Sequence, residues 1–217
     1  MRKLFLLLMV IASAGMTGCG SAYIKRVDPA VMNTNISNNE TAVVFFRPTS
    51  FGSQDTTFIF EIENENLKFV AFASSGVKTL HKTTPGKHLY LVSGGKPGYY
   101  NFMEANLAPG KTYYAYVSKR TSAASAALPI IAAGVFAPLL HTDIGNQYSF
   151  FPVTASDLSS EKFKKDFADC MWYENRKHIE ENGFEKYYTE LIKGYSTLKP
   201  EEKILVRREY GTNIPIL

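Results

Sequence analysis

The chain has 217 residues, of which 45% are hydrophobic, 13% aromatic and 20% charged, the balance of a sequence that buries a core. Intrinsic disorder and collagen-like or coiled-coil fibres are excluded for most of its length, and there is room for one domain with an appendage or for two small ones. The formal charge is +4, from 24 basic and 20 acidic residues; without Arg2 and Lys3, which fall in the leader described next, 22 basic residues face 20 acidic ones, a balance of +2. A surplus that small, with no clustered basic run, gives no support to a nucleic-acid partner.

The first residues have the grammar of an export signal. Arg2 and Lys3 precede an apolar run from Leu4 to Ala12 that is too short to span a bilayer. Small residues follow, ending in Met16-Thr17-Gly18-Cys19. This ending resembles the lipobox of bacterial lipoproteins, in which a small residue precedes a cysteine, although Met16 departs from the usual Leu. The resemblance implies cleavage behind Gly18 and lipidation of Cys19, the new N-terminus; the alternative is an ordinary secretory leader with an incidental cysteine. Several acyl chains on one cysteine anchor stably where a single chain binds marginally. Gly20 and Ser21, in place of Asp, imply sorting to the outer membrane in a host with two membranes, facing the periplasm or the surface.

From Cys19 to residue 40 the chain is rich in Asn and Ser with little periodicity, which predicts a lipidated tether. Short runs rich in Val, Phe, Tyr and Thr then predict strands at Thr41–Arg47, Thr57–Glu63, Lys68–Ala73, Val77–Lys82, Lys87–Ser93, Tyr99–Ala105 and Lys111–Ser118, with a further one at Gln147–Val153. Phe58, Phe60 and Ile62 alternate with Thr57, Ile59, Glu61 and Glu63, which predicts one buried face and places Glu61, Glu63 and Glu65 together on a solvated one. Seven or eight short strands predict an antiparallel β-sandwich, immunoglobulin-like or prealbumin-like, over residues 41–155.

Residues 123–140 interrupt that pattern with eighteen uncharged positions between Lys119-Arg120 and His141-Thr142-Asp143. Pro129 and Pro138 break the run and Ala dominates it, so it makes a poor spanning helix. Three roles remain: burial against the sandwich, insertion into lipid, or docking of an envelope protein. Leu128, Ile130, Ile131, Val135, Phe136, Leu139 and Leu140 are the candidate contacts with a partner or with lipid.

From Asp157 the period changes to 3.6, which predicts a helical C-terminal region over 156–217. Ser159 or Ser160 caps a first helix running to about Glu181. A second stripe comprises Phe184, Tyr187, Tyr188, Leu191 and Ile192, and a short third helix opens at Pro200 and closes at Arg207-Arg208. Phe163, Phe167, Cys170 and Met171 fall on one apolar stripe, which makes Cys170 an inert core residue. With Cys19 taken by lipid, no intramolecular disulfide can form.

Three segments carry a family resemblance. Ala42-Val43-Val44-Phe45-Phe46-Arg47-Pro48 ends a strand in Arg-Pro, Pro85-Gly86-Lys87-His88 leads into a strand, and Leu107-Ala108-Pro109-Gly110-Lys111-Thr112-Tyr113-Tyr114 leads into another. Their order is similar to that of the DUF2846 domains of bacterial lipoproteins, over roughly residues 41–155. The resemblance implies a sandwich-like fold and no reaction, and it supplies no catalytic residues. In themselves the Pro-Gly pairs read as hairpin turns.

No motif carries chemistry. Ser-x-x-Lys occurs four times, at Ser75, Ser93, Ser159 and Ser196, with no Lys-Thr-Gly partner. His81 and His88 flank the Pro85-Gly86 turn and could face each other across a hairpin, but a metal site would lack its third ligand. Residues 93–98 are glycine-rich but precede a strand, where a phosphate cradle needs a helix. The reading is a non-enzymatic binding or scaffolding module of the envelope, with no cofactor, no metal and no catalytic residues. The alternatives are a membrane-active protein assembling through residues 123–140 and an envelope hydrolase whose residues converge from separate loops.

Overall fold

All seven residues of β2 (Thr41–Arg47), Thr-Ala-Val-Val-Phe-Phe-Arg, are buried. A strand with a continuous apolar run is one covered on both faces, and β2 fixes how the layers stack. The computed structural model describes residues 24–49, 57–64, 66–94, 100–119, 148–175, 192, 195–197 and 203–213. It is mainly β, with eleven strands among the described residues: β1 (Ile24–Arg26), β2, β3 (Thr57–Glu63), β4 (Asn66–Ala73), β5 (Val77–Thr83), β6 (Gly86–Ser93), β7 (Tyr100–Leu107), β8 (Thr112–Lys119), β9 (Tyr148–Pro152), β10 (Met171–Asn175) and β11 (Leu205–Val206). Two helices, α1 (Ala155–Leu158) and α2 (Glu161–Ala168), follow β9.

The strands form a six-stranded sheet in the order β1-β10-β5-β2-β8-β9 and a five-stranded sheet in the order β11-β7-β6-β3-β4. Both are mixed rather than purely antiparallel, because β2 runs parallel to β8, β5 parallel to β10, and β7 parallel to β11. Neither Pro-Gly turn closes a hairpin. Thr84-Pro85 carries the chain from β5 in one sheet to β6 in the other, and Pro109-Gly110 carries it back from β7 to β8. Gly86 and Gly110 sit at φ 141° and 68°, the region that favours glycine and lets the chain leave its sheet sharply.

Alternation along β2 divides its side chains between two clusters. Val43 and Phe45 enter a core shared by both sheets with Ile59, Tyr90, Met103, Tyr113, Val117 and Phe150. Val44 and Phe46 face outward beneath α2, against Tyr114, Tyr116, Phe163, Phe167 and Trp172. A third cluster covers the outer face of the five-stranded sheet, where Phe60, Phe69, Leu91 and Phe102 pack with Tyr195.

The expected tether is in part folded. β1 pairs with β10, and Val27, Met32 and Ile36 pack on the outer cluster of the six-stranded sheet.

The first C-terminal helix is shorter than its stripe predicts. α2 stops at Ala168, Cys170 stays buried, and Met171 opens β10 with its side chain exposed while Trp172 turns inward. Asp169 N–H donates to the Lys165 carbonyl and Cys170 N–H to the Phe167 carbonyl, and Lys78 Nζ, on β5, adds a donor to that same Phe167 carbonyl at 2.9 Å while lying over the rings of Phe167 (4.0 Å) and Trp172 (4.9 Å). A buried cation at a helix C-terminus is favoured by the helix dipole and adds a bond to one of its last carbonyls.

The third expected helix is a strand and a turn. Leu205 and Val206 pair with Glu104 and Ala105, Ile204 and Val206 enter the inter-sheet core, and Arg208–Tyr210 form a 3₁₀ turn. The period at Ile204 and Val206 is two, and the charges around them imitate helix-end placement. Thr112 and Thr212 then exchange both backbone bonds, at 3.0 and 2.9 Å, so this segment is tied to both sheets.

Cys170 donates from Sγ to the Asp166 carbonyl, and burial pushes its thiol up to about 12. The thiolate is the reactive species, so Cys170 in the folded chain is expected to stay unmodified by iodoacetamide at pH 8 and to react fully in denaturant, read by mass spectrometry of its peptide.

Candidate functional site

Glu61 lies near the end of β3, opposite Tyr90 of β6 and Lys68 of β4. Its side chain points into the inter-sheet core and is wholly buried, which corrects its expected place on a solvated face with Glu63 and Glu65. The cause is partner supply. His81, on β5 of the opposite sheet, places Nε2 3.0 Å from Glu61 Oε2, and His88, on β6, places Nδ1 2.5 Å from Oε1. Thr83 Oγ1 donates to Oε1 at 3.5 Å, and Lys68 Nζ stands 3.9 Å from Oε2. A buried carboxylate is tolerated when charge and hydrogen bonds reach both oxygens.

The protons follow from the acceptors. His88 Nε2 lies 2.8 Å from the Thr84 carbonyl, which can only accept, so Nε2 carries hydrogen. Nδ1 faces a carboxylate and donates as well, which makes His88 an imidazolium. Burial alone would lift the Glu61 carboxyl, but the bonds and charges of His81 and His88 outweigh it and hold Glu61 well below the usual carboxylate range. Burial likewise works against the His88 cation, and the Glu61 bond and charge overcome it, raising His88 above its ordinary value. Tyr90 completes the group: its ring lies parallel to His88 (centroids 6.1 Å) and edge-on to His81 (6.0 Å). Its fully buried hydroxyl has no hydrogen-bond partner among the described residues.

Chemically this is a clasp. A histidine acting as general base needs a free nitrogen facing a nucleophile or substrate. His88 uses Nδ1 on Glu61 and Nε2 on a backbone carbonyl. Among the described residues no three His, Cys, Asp or Glu are placed to hold a metal ion. What the arrangement does is join the sheets, since His81 and Glu61 stand on opposite ones.

His88 also borders a cleft of about 820 Å³ beside β6, β7 and β11. Its apolar lining includes Ile62, Leu89, Ile192, Tyr195 and Val206, and its charged lining is Lys87, Lys203, Arg207 and Arg208 with Glu104 and Glu209. Lys203 Nζ binds Glu104 Oε1 at 2.8 Å, and Arg207 stands 3.9 Å from Glu209.

Cys19 and the seven expected contacts Leu128, Ile130, Ile131, Val135, Phe136, Leu139 and Leu140 lie outside the described residues. His81 and His88 do converge, through Glu61 and across two sheets rather than across a hairpin. No helix among the described residues is long and apolar enough to cross a membrane. The chain matches no protein-family profile, no curated protein and no solved structure.

Proposed function

We propose that this protein is a non-enzymatic binding module of the cell envelope, held at the outer membrane by lipid on Cys19. The leader and the likeness of its turns to DUF2846 lipoproteins support the location. One observation carries binding over catalysis: both nitrogens of His88, the histidine beside the cleft, are engaged within the fold, while the cleft itself is open. A preformed concave site with an apolar wall and a few charged groups is what a ligand-binding protein presents.

The anchor is tested by growing cells expressing the full chain with alkyne-tagged palmitate. The label is expected in the outer-membrane fraction, and Cys19→Ala is expected to lose both label and membrane association. The purified protein is expected to release no product from peptidoglycan, phospholipid or p-nitrophenyl esters. Turnover that His88→Gln abolishes would overturn the non-enzymatic reading.

A further inference from the structure

We infer that the cleft binds an anionic amphiphile, its phosphate or carboxylate head between Lys87 and Arg208 and its apolar body along Ile62, Leu89 and Ile192. The inference rests on the reading of the protein as a binding module and names the class of ligand.

Charge placement within the cleft carries the argument. Besides His88, whose charge is matched by Glu61, four cationic side chains line it against two acidic ones, and each acid already faces a base: Glu104 faces Lys203, and Glu209 faces Arg207. Lys87 and Arg208 remain as the surplus. They are neighbours by construction. Lys87 pairs with Asn106 across β6 and β7, and directly opposed residues have side chains about 5 Å apart. Asn106 Oδ1 in turn accepts from Arg208 Nε at 3.0 Å, which holds the guanidinium on the same side of the sheet edge. Two cations set side by side without an acid repel each other, and an oxyanion between them removes that repulsion with charge-assisted bonds.

The rest of the cleft is unsuited to a small ion alone. On β6, Leu89 is two residues from Lys87 and so shares its face; Ile62 of β3 and Ile192 stand in the same outer cluster. Both are only partly buried where the cleft opens. A ligand with a charged head and an apolar body meets both halves; a sugar or a bare phosphate meets one. Phosphate heads occur on membrane lipids and on soluble compounds, and the test separates the two.

The full-length lipidated protein, in dodecyl maltoside micelles, is titrated by calorimetry with dihexanoyl phosphatidate, dihexanoyl phosphatidylcholine, dibutanoyl phosphatidate and inorganic phosphate. Saturable one-site binding of dihexanoyl phosphatidate is expected, with an affinity that falls as salt rises. The zwitterionic lipid is expected to bind at least roughly tenfold more weakly, as is the dibutanoyl form, since each buried methylene contributes about fourfold. Lys87→Gln with Arg208→Gln, both at exposed positions, is expected to weaken phosphatidate binding by roughly tenfold per removed charge with Tm unchanged.

Inorganic phosphate binding as tightly as dihexanoyl phosphatidate would assign the cleft to soluble phosphate compounds and overturn the amphiphile. Equal binding of the two dihexanoyl lipids, undiminished binding by the double variant, or no binding of any probe overturns the inference and leaves the binding-module reading to its own test. Recovery of hydrolysed phosphatidate, read by mass spectrometry, overturns that reading itself.

Discussion

Glu61→Ala is expected to destabilise the protein by about 3–5 kcal/mol, the range for breaking a buried charged group by removing one partner. It leaves two histidines, both nearly buried, without the carboxylate that joins them, and it removes the one side chain that binds both sheets at this point. Glu61→Gln keeps the shape and an amide able to bond both rings, so it is expected to cost less, about 1–3 kcal/mol. The gap between wild type and Glu61→Gln isolates the charge, and its pH profile has a definite sign. Glu61 is held below its unfolded value of about 4.3, so its contribution is complete above that pH and is lost as pH falls towards the folded value. His88 is raised above its unfolded value of about 6.5, so its contribution is complete below that pH and is lost as pH rises through the folded value. Both are present together between about pH 4.3 and 6.5. Urea unfolding at acid, mid-range and alkaline pH is expected to give the widest gap in that window; a flat profile would mean that the clasp holds no ion pair.

The same side chains mark where reading along the chain gives out. Strands β2 to β9 were legible within two residues at each end because β-branched and aromatic runs bounded by turns are a local signal. Which face of β3 is solvated was not local. Phe58, Phe60 and Ile62 are apolar, so the opposite face reads as wet, yet Thr57, Ile59 and Glu61 are the ones facing the second sheet. A sequence gives alternation, and alternation does not say how many layers lie beyond it. The cue was present in Glu61 itself, a carboxylate enclosed by Phe60 and Ile62 in a chain with His81 and His88 20 and 27 residues further on. The C-terminal region failed for a related reason. The stripe Phe163, Phe167, Cys170 is helical in spacing, but the chain leaves the helix after Ala168 to pair Met171 and Trp172 with Val77 and Lys78 of β5, a partner more than ninety residues away. Propensity yields to pairing with β5 there, as it yields to pairing with β7 at Leu205 and Val206.

Phe45 and Phe46 convert that layering into a measurement. They are adjacent on β2 and fully buried on opposite faces. Phe45 meets Tyr90 at 5.3 Å and Phe150 at 5.8 Å between the sheets. Phe46 meets Tyr116 at 4.2 Å, Phe167 at 5.4 Å and Phe163 at 5.7 Å beneath α2. A two-layer sandwich with a wet outer surface would make Phe45→Ala severe and Phe46→Ala nearly silent. With α2 and the segment containing Val27, Met32 and Ile36 packed over that surface, each truncation opens a cavity among aromatic rings, and each is expected to lower stability by about 3–5 kcal/mol. Chemical denaturation of the two variants checks this directly. Loss at Phe46 as large as at Phe45 means that the outer layer folds as part of the same unit, so that α2 and the segment containing Val27, Met32 and Ile36 cannot be peeled away without unfolding the sheets; a small loss at Phe46 alone would make that layer an accessory laid over two self-sufficient sheets.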